Sequence, residues 1–572
     1  MRGEDSLRGT VRFGVFEADF RAGELRKRGI KVKLQEQPLQ ILQLLLEHPG
    51  EIVTRDKLRQ KIWQSDTFVD FEQGLYNAVR RLRDALNDSA DKPRFIETLS
   101  RRGYRFIATI NATARPIQSL AVLPLENLSH DPEQEYFAEG LTEALITTLA
   151  KIGELRVVSR TSAMQYKGVR RPLPEIAQEL GVDGIIEGTV LRAGRRVRIS
   201  TQLVDARTDT HLWAENYDRD LRDILALHSE LARAIAQQVQ VKLTPYDHAH
   251  LAHPRPVDPE AYQAYLKGRY YWNRRPAGFK QAIQHFQEAI ARDPAYPPPY
   301  AGLADCFSAL NAFGLVPATE GCVKAKELAL KALEIDHGSA EAHTSLAYAS
   351  MYHYDFATAE REFERAIELN PRYRPAHQVF GWYLCIMDRY EEAYAELQRA
   401  IRLDPVFSLS NAFLGIVYFY ARRYDRAIEQ CQKTLALDPN SGPAQAFLGW
   451  AYSRKSLYEP AISTLRKACD LWPGSTPIGM LGEAYAAAGR TDEACRVLEQ
   501  LDQLSKQRYV SPYVVARIHL TLGEEDKAFE WLEIAYQQRA EWMVLLKVDP
   551  CLDGLRSDPR FQDLLRRMNF PA

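Results

Sequence analysis

One spacing constrains this 572-residue chain more than any other feature: five positions in its second half lie 34 residues apart. These positions are His337, Pro371, Pro405, Pro439 and Pro473. Small residues recur at two places within each interval, twelve residues apart. The first series is Ala347, Gly381, Gly415 and Gly449, and the second is Ala359, Ala393, Ala427 and Ala461. Small side chains let two helices approach closely, and proline ends the second helix of a pair. The period therefore predicts stacked helix pairs.

This pattern resembles the tetratricopeptide repeat (TPR), and we assign residues 258–572 to an array of about eight repeats with a C-terminal capping helix. A first copy ends at Pro294, and degenerate copies follow around Gly482 and Ala516. Stacked pairs form a superhelix with an extended concave face. We expect that face to bind a protein or peptide; the alternative is a scaffold or a dimerisation surface. Four tyrosines would either supply contacts for that partner or pack between helices: Tyr352, Tyr354, Tyr418 and Tyr420.

The first 111 residues follow a different pattern. Short β-type runs over residues 11–34 predict a small antiparallel sheet, and two helices follow in PLQILQLLLEHPG and after Thr54. A third helix is predicted from about Glu72 to Asn87, because its apolar residues form one stripe: Leu75, Val79, Leu82 and Leu86. RFIETLSRRGYRFIATI then predicts a hairpin, in which Gly103 suits a tight turn that needs a positive φ.

Three motifs in this segment carry a family resemblance: TRDKLRQKIW, VRRLRDAL and RRGYRF. Together with the order sheet, three helices and hairpin, they resemble the winged helix-turn-helix domain of OmpR/PhoB-type response regulators and their ToxR/CadC-like relatives, over roughly residues 11–110. The resemblance implies that the third helix enters the major groove of DNA and that the hairpin wing follows the adjacent minor groove. Response regulators also carry a receiver domain, and the ToxR/CadC relatives a transmembrane helix, but we expect neither phosphorylation nor membrane sensing here.

The same resemblance assigns roles to individual residues. In the major groove, Asn can read adenine and Arg can read guanine, which implies base contacts from Asn77, Arg80 and Arg81. Phosphate or wing contacts would come from six further residues: Thr54, Arg55, Arg83, Arg101, Arg102 and Tyr104. Residues 1–110 hold 21 Lys and Arg against 16 Asp and Glu, whereas the remainder holds 53 against 59. That balance fits a polyanion partner for the first domain. The alternative is a solvated arginine-rich helix face.

Residues 116–245 alternate strand-like and helical runs and predict a mixed α/β sheet domain. The strings AVLPLENLS, YFAEGLTEALITTLAKI and ELGVDGIIEGTV resemble the TolB-N-like domain found beside cyclase or winged-helix modules. No phosphate-binding motif is present, so we interpret Gly181, Gly184 and Gly188 as turn and strand residues. Three carboxylates have no spacing that separates them from ordinary surface residues: Asp205, Glu215 and Asp218. We predict no catalytic residues and no cofactor.

Residues 246–257 are predicted to be a linker rich in proline and histidine. His248, His250 and His253 could bind a metal, but no cysteine or carboxylate-rich element accompanies them, so we predict no metal site. The seven cysteines include no CxxC pair and are expected to be reduced packing residues. No apolar run approaches the length needed to cross a bilayer and no signal peptide is recognisable. We therefore expect a cytoplasmic protein without membrane contact.

These patterns predict a multidomain, mainly α protein: a winged helix-turn-helix (α+β), then an α/β mixed-sheet domain, then an all-α TPR superhelix. The predicted function is that of a bacterial, sequence-specific transcription regulator that binds promoter duplex DNA. The TPR array and middle domain would receive a protein partner or signal, with RNA polymerase a further expected partner and a homodimer on DNA left open. The alternative is an assembly scaffold whose winged helix contacts protein. No nucleophile elbow, metal pattern or phosphate loop supports an enzyme.

Overall fold

The computed structural model describes residues 10–20, 22–27, 30–62, 71–108, 110–112, 117–129, 131–150, 152, 155–239, 256–274 and 277–570. The chain divides into two compact units, Met1–Pro116 and Ile117–Ala572. Within the described ranges, no helix is both long and apolar enough to cross a bilayer. Residues 246–255 of the predicted linker, with its three histidines, and residues 63–70 lie outside these ranges.

The first unit begins with an antiparallel sheet, as predicted. Its strands are ordered β4-β3-β2-β1-β8, with the bounds β1 Thr10–Phe13, β2 Phe16–Asp19, β3 Glu24–Lys27, β4 Ile30–Val32 and β8 Ile110–Ala112. Three helices follow: α1 Glu36–Glu47, α2 Arg55–Ile62 and α3 Phe71–Leu86. A second sheet has the order β5-β7-β6, formed by β5 Ile52–Thr54, β6 Ile96–Leu99 and β7 Gly103–Phe106. The hairpin β6-β7 is the wing.

The core of this unit combines a cluster of phenylalanine rings with the aliphatic stripe of α3. The Phe13 ring packs edge-to-face on Phe95 and on Phe106, with ring centroids 5.7 and 5.2 Å apart. The predicted stripe of α3 is buried, which confirms the reasoning from its period: Leu75, Val79, Leu82 and Leu86. Burial of this stripe fixes which side of α3 is left to solvent.

The second unit opens with a mixed sheet, as predicted, ordered β11-β9-β12-β13-β14. Its elements are β9 Ser119–Val122, β10 Glu126–Asn127, α4 Glu135–Ala150, β11 Arg156–Val157, α5 Arg160–Ala163, α6 Leu173–Leu180, β12 Gly184–Ala193, β13 Arg196–Asp205, β14 Thr210–Asp220 and α7 Ile224–Gln238. Gly181 ends α6 with a φ of 62°, and a Cβ at Gly188 would lie 2.1 Å from the Ser200 carbonyl oxygen. These glycines therefore serve a turn and a close strand contact, as predicted.

The three carboxylates of this sheet domain have separate partners. The Asp205 carboxylate accepts a 3.1 Å hydrogen bond from Arg207, and Asp218 forms an ion pair with Arg196 at 2.6 Å. The Glu215 carboxylate accepts a 2.5 Å hydrogen bond from the Tyr217 hydroxyl. Each is engaged in its own local pair, so the three do not form one constellation.

The described residues from 256 onward contain eight helix pairs, each with a first (A) and a second (B) helix. In order, the pairs are α8 Pro259–Trp272 and α9 Phe279–Arg292, α10 Pro297–Ala312 and α11 Ala318–Ile335, α12 Ala340–Tyr352 and α13 Phe356–Leu369, α14 Arg374–Ile386 and α15 Tyr390–Leu403, α16 Ser408–Tyr420 and α17 Tyr424–Leu437, α18 Gly442–Arg454 and α19 Tyr458–Leu471, α20 Thr476–Ala487 and α21 Thr491–Ser505, and α22 Pro512–Thr521 and α23 Glu525–Gln537. A further helix, α24 Pro559–Arg567, lies at the C-terminal end.

The small residues of the 34-residue period lie where the paired helices touch. A Cβ at Gly381 would lie 2.8 Å from the Leu397 side chain of the paired helix, and a Cβ at Gly449 would lie 2.7 Å from the Leu465 side chain. The turn between A and B helices repeats as well: four residues 34 positions apart have φ between 59° and 68°, namely Tyr354, Asp388, Arg422 and Ser456. Non-glycine residues adopt this conformation only when the surrounding packing holds it. The period therefore extends to a backbone strain that we did not predict.

Residues 540–555 leave the helix pairs and lie against the A helices; we call them the plug. The Trp542 ring packs against Trp382 and Phe447, with centroids 6.3 and 6.0 Å apart. Asp549 accepts a 2.8 Å hydrogen bond from the Tyr513 hydroxyl, and further contacts join the plug to Arg422 and Arg454. One segment thus bridges the fourth, fifth, sixth and eighth repeats.

The four tyrosines considered as contact residues take part in packing. Tyr352, Tyr354 and Tyr420 are buried, and their rings contact other aromatic rings of the array. Tyr418 is half-buried, with its ring 4.8 Å from that of Tyr394. Packing between helices, the second of the two interpretations, therefore describes these residues.

Candidate nucleic-acid interface

The exposed side of α3 is a continuous polar stripe. Residues at helical spacing i, i+3, i+4, i+7, i+8 and i+11 share one face of a helix. Five of them are polar or charged and one is aromatic: Gln73, Tyr76, Asn77, Arg80, Arg81 and Asp84, all exposed. The predicted base-contact residues Asn77, Arg80 and Arg81 are thereby brought together on one surface. The Arg81 guanidinium donates to the Gln35 side chain just before α1.

The tip of the wing presents two of the predicted phosphate contacts. Arg101 and Arg102 are exposed in the turn between β6 and β7. The left-handed residue of this turn is Arg101, with a φ of 58°. Gly103 has the positive φ predicted for it, 154°, and it begins β7 directly after the turn. A Cβ there would also lie 2.1 Å from the Val53 carbonyl oxygen, so the close approach of β5 is a second reason for glycine at this position.

Two predicted contact residues lie between α3 and the wing. Arg83 donates 2.8 Å hydrogen bonds from Nη2 to the Ile96 carbonyl oxygen and to Thr98 Oγ1. Tyr104 is only 5% exposed, and burial raises the pKa of its hydroxyl, against the opposing effect of Arg55 and Arg83. Both side chains are engaged within the domain.

The remaining predicted pair lies at the start of α2. Thr54 is exposed, and its hydroxyl oxygen accepts from the Lys57 backbone N–H at 3.3 Å, which caps the helix. Arg55 forms an ion pair with Glu72, in the first turn of α3. This pair joins the N-terminal ends of α2 and α3.

Sequence reasoning missed Tyr76, which is 60% exposed on the stripe of α3. A large aromatic side chain exposed on a helix beside Asn77 and Arg80 is available for contact with a partner. The signal was present, because position 76 falls on the polar side whenever 75 and 79 are buried.

Nothing in the described part of the chain gathers three or more His, Cys, Asp or Glu side chains in a way that could hold a metal ion. His248, His250 and His253 lie outside the described residues. Of the seven cysteines, four are buried, and burial raises the pKa of the Cys431 thiol to about 12. Buried, protonated thiols fit the predicted packing role.

Comparison with known proteins defines the class of each segment. Residues 29–106 match the family described as "Transcriptional regulatory protein, C terminal", and residues 117–237 match "HilA/YgeH-like transcriptional regulator, second domain". Tetratricopeptide repeat families match residues 381–442, 412–476 and 478–508. The chain thus joins a winged-helix domain of transcriptional regulators, a HilA-type second domain and TPR repeats.

Individual relatives match different lengths of the chain. The chain is 34% identical to "Putative adenylate cyclase 3" of Rhizobium meliloti over 53% of this chain and 51% of that protein. It is 24% identical to the transcriptional regulator HilA of Salmonella paratyphi A, over 65% of this chain and 66% of that protein. The cholera toxin homolog transcriptional activator of Vibrio parahaemolyticus is 35% identical over 14% of this chain and 27% of that protein. The chain therefore spans between half and two thirds of the first two relatives.

Proposed function

We propose that this protein is a sequence-specific DNA-binding transcription regulator. One observation carries the proposal: Asn77, Arg80 and Arg81 share the exposed stripe of α3, and the exposed Arg101 and Arg102 lie on the wing of the same domain. A helix that fits the major groove, with amide and guanidinium groups along its outer side, can read base edges. The relatives named as transcription regulators support this assignment.

We divide the contact residues into two groups. Asn77, Arg80 and Arg81 would contact bases, and Thr54, Arg55, Arg101 and Arg102 would contact phosphates. For Arg83 and Tyr104, the hydrogen bonds to the wing and the burial favour a positioning role instead of a phosphate contact. Tyr76 joins the first group as an apolar contact.

The second unit would receive the signal. We propose a protein partner for the TPR array, RNA polymerase as a partner on the promoter, and a homodimer as the bound form. The plug covers A helices from the fourth to the eighth repeat. A peptide on the concave face would therefore have to bind the part of that face that the plug does not cover. Promoter binding also places the protein in the cytoplasm.

We further propose that the function is binding and not catalysis. The relative named as a cyclase is matched over 51% of its length, so its name does not carry over to this chain. The two regulator names fit the exposed face of α3, whereas the carboxylates of the sheet domain are paired separately.

Genome-wide footprinting of the full chain tests this function and names its targets. We expect discrete protected sites, and affinity that falls by about 0.9 log unit per neutralised phosphate for each tenfold rise in salt. Asn77→Ala and Arg81→Ala should each reduce discrimination between a protected site and random duplex by about 1–3 kcal/mol. Arg102→Ala should weaken binding to both duplexes alike.

Arg566→Ala is the matched control, because it removes one positive charge, as Arg102→Ala does, but at a distant position. The Arg566 side chain is 77% exposed in α24. This variant should leave binding unchanged. If the full chain binds its protected sites no better than random duplex, the winged helix is better explained as a protein contact. The exposed Tyr76 favours that second candidate, since tyrosine is enriched at protein interfaces.

A further inference from the structure

The sheet of the Ile117–Ala572 unit ends in a long strand that has a neighbour on one side only. This strand, β14, is the last in the order β11-β9-β12-β13-β14, and among the described residues it pairs with β13 alone. Six of residues 210–216 are exposed, and the seventh, Trp213, is half-buried. A strand edge that is exposed over this length can accept a further strand by main-chain hydrogen bonding.

The register with β13 shows which backbone groups of β14 point outward. The Leu221 N–H donates to the Arg195 carbonyl oxygen at 2.8 Å, so these two residues form a hydrogen-bonded pair just beyond the strand ends. Hydrogen-bonded and non-hydrogen-bonded pairs alternate along an antiparallel ladder, and the register is regular along residues 213–220. The backbone groups that point away from β13 therefore belong to alternate residues: Ala214, Asn216, Asp218 and Asp220.

These outward groups are largely without partners in the part of the chain that the structure describes. No backbone hydrogen bond outside the ladder reaches residues 211–219. The Asp218 carbonyl oxygen accepts from the Arg219 side chain at 3.2 Å, as expected for a carbonyl that faces away from the sheet. Water can satisfy such groups in a single copy, and a second strand would satisfy them in a complex.

The charges of β14 favour a second copy of the same strand. An antiparallel ladder is compatible with a two-fold axis, and that axis passes through one residue, because opposite residues must both point their backbone groups outward or both inward. An axis at Glu215 or Asp218 would place like charges directly opposite, which is destabilising. An axis at Asn216 leaves Glu215 opposite an uncharged tyrosine. An axis at Tyr217 places Glu215 of each copy opposite Arg219 of the other.

Both members of that charged pair are accessible from the edge. Glu215 is exposed, and 40% of the Arg219 side chain is accessible. Glu230 of α7 lies 3.0 Å from the Arg219 guanidinium and holds it beside the strand. Within one chain, four residues of extended strand separate Glu215 from Arg219, a distance of roughly 13 Å. The two side chains can therefore meet between copies, but not within one.

We propose that β14 is a dimerisation edge, at which residues 214–220 of two copies pair antiparallel about a two-fold axis at Tyr217. The two sheets become one continuous sheet, joined by about six backbone hydrogen bonds and by two ion pairs between Glu215 and Arg219. Pairing of two strands buries little surface, so the dimer is expected to be weak, with micromolar affinity. This inference rests on the proposed function only in giving its homodimer a surface, since the pairing itself needs no DNA.

Sedimentation equilibrium of the full chain without DNA, at about 1 to 100 µM, tests the pairing. We expect a reversible monomer–dimer equilibrium, in which the dimer fraction follows the protein concentration. Amide hydrogen exchange locates the interface in the same samples. The outward N–H groups of Ala214, Asn216 and Asp218 should exchange more slowly as the concentration rises.

A proline at the centre of the edge tests the backbone hydrogen bonds. Asn216→Pro removes an outward N–H but leaves the ladder with β13 intact, because an edge strand tolerates proline where its N–H faces solvent. Two hydrogen bonds per dimer are lost, so the dissociation constant should rise at least about tenfold. Asn216→Ala is the matched control, because it keeps the N–H and should leave the dissociation constant unchanged.

A charge exchange tests the register. Glu215→Arg and Arg219→Glu each place like charges opposite one another, so each should raise the dissociation constant at least about threefold. The double variant with both changes restores opposite charges with their signs exchanged. It should form a tighter dimer than either single variant, and this recovery cannot arise within one chain.

The proposal is overturned if the full chain remains a monomer at about 100 µM, which is the result expected if a different protein occupies the edge. It is also overturned if Asn216→Pro, shown to be folded by circular dichroism, dimerises as tightly as Asn216→Ala. A double charge variant no tighter than its single parents would overturn the register and the proposal with it. Asn77→Ala should lose promoter discrimination without any change in sedimentation, so a failure of DNA reading and a failure of dimerisation can be told apart.

Discussion

The outer face of α3 and the cavity of about 540 Å³ in the Ile117–Ala572 unit place charge in opposite settings. On the outer face of α3, Arg80, Arg81 and Asp84 come from one 16-residue helix and are exposed to water and salt. In the cavity lining, Glu143 and Glu541 come from parts of the chain almost 400 residues apart, and both are buried. Water makes an exposed charge easy to accommodate, whereas a buried charge must be paired, protonated or met by a ligand. The first setting tolerates substitution well; the second does not.

Loss of a buried cation should give the largest effect. The Arg517 side chain lies 3.7 Å over the Trp450 ring, pairs with Glu483, and lies 3.8 Å from Asp549 of the plug. Arg517→Met would leave both carboxylates buried without their cation, so we expect the free energy of unfolding to fall by about 3–5 kcal/mol. Urea denaturation of the full chain measures this loss. Arg566→Met, on the surface, should change the same quantity by less than about 0.5 kcal/mol.

The second prediction concerns Glu541 and has a defined pH window. Its pKa is about 7 in the folded chain and near the ordinary 4.5 when unfolded. Stability from the neutral, buried carboxyl is fully present below pH 4.5 and is lost as the pH rises through 7. Glu541→Gln escapes this loss, so at pH 8 it should be more stable than the wild type by about 3 kcal/mol. Melting temperatures at pH 4.5 and pH 8 measure the difference, which should vanish at the lower pH.

Arg83 should behave like an interior residue although it belongs to the arginine-rich helix. Arg83→Met removes two hydrogen bonds to the wing and should lower the free energy of unfolding of the first unit by about 1–2 kcal/mol. It should also weaken binding to specific and random duplex alike, because the wing is no longer held. Unchanged stability together with weaker DNA binding would restore Arg83 to the phosphate contacts.

Tyr76 should show the smallest effect on folding. Its side chain is 60% exposed, so Tyr76→Ala should change the free energy of unfolding by less than about 0.5 kcal/mol. We expect it to weaken binding to the protected sites more than binding to random duplex. A filter-binding series with both duplexes checks this, with Tyr424→Phe, in α17 of the array, as a control that leaves the first unit intact.

The fold could be predicted well because its signals are periodic. The 34-residue spacing and the stripe Leu75, Val79, Leu82, Leu86 each depend on residues close in sequence. The exposed face of α3 could be predicted from that stripe, because the residues on the opposite side of the helix point away from the core. The hydrogen bonds of Arg83 could not be foreseen, because they reach residues 96 and 98, and no helical period contains that information.

The cavity of about 540 Å³ in the Ile117–Ala572 unit could not be predicted in the same way. Its lining residues are scattered over the first six repeats, the plug and the sheet domain, and nothing in their local sequence sets them apart. Glu541 lies in RAEWMVLL, where nothing marks it as buried. Gly103 shows the same limit on a smaller scale: the hairpin pattern predicts its positive φ, but only the packing of β5 shows that a Cβ there would also collide with a backbone carbonyl.

The plug changes how the array must fold. A solenoid whose repeats contact only their neighbours can fold from any point and propagate along its length. Here Phe570 stacks on Phe356 at 4.8 Å, and residues 540–555 contact repeats that begin more than 150 positions earlier. These non-local contacts should slow folding, because aromatic residues of the middle repeats stay uncovered until residues 540–570 have been synthesised. A late premature stop would therefore damage the centre of the array as well as its edge.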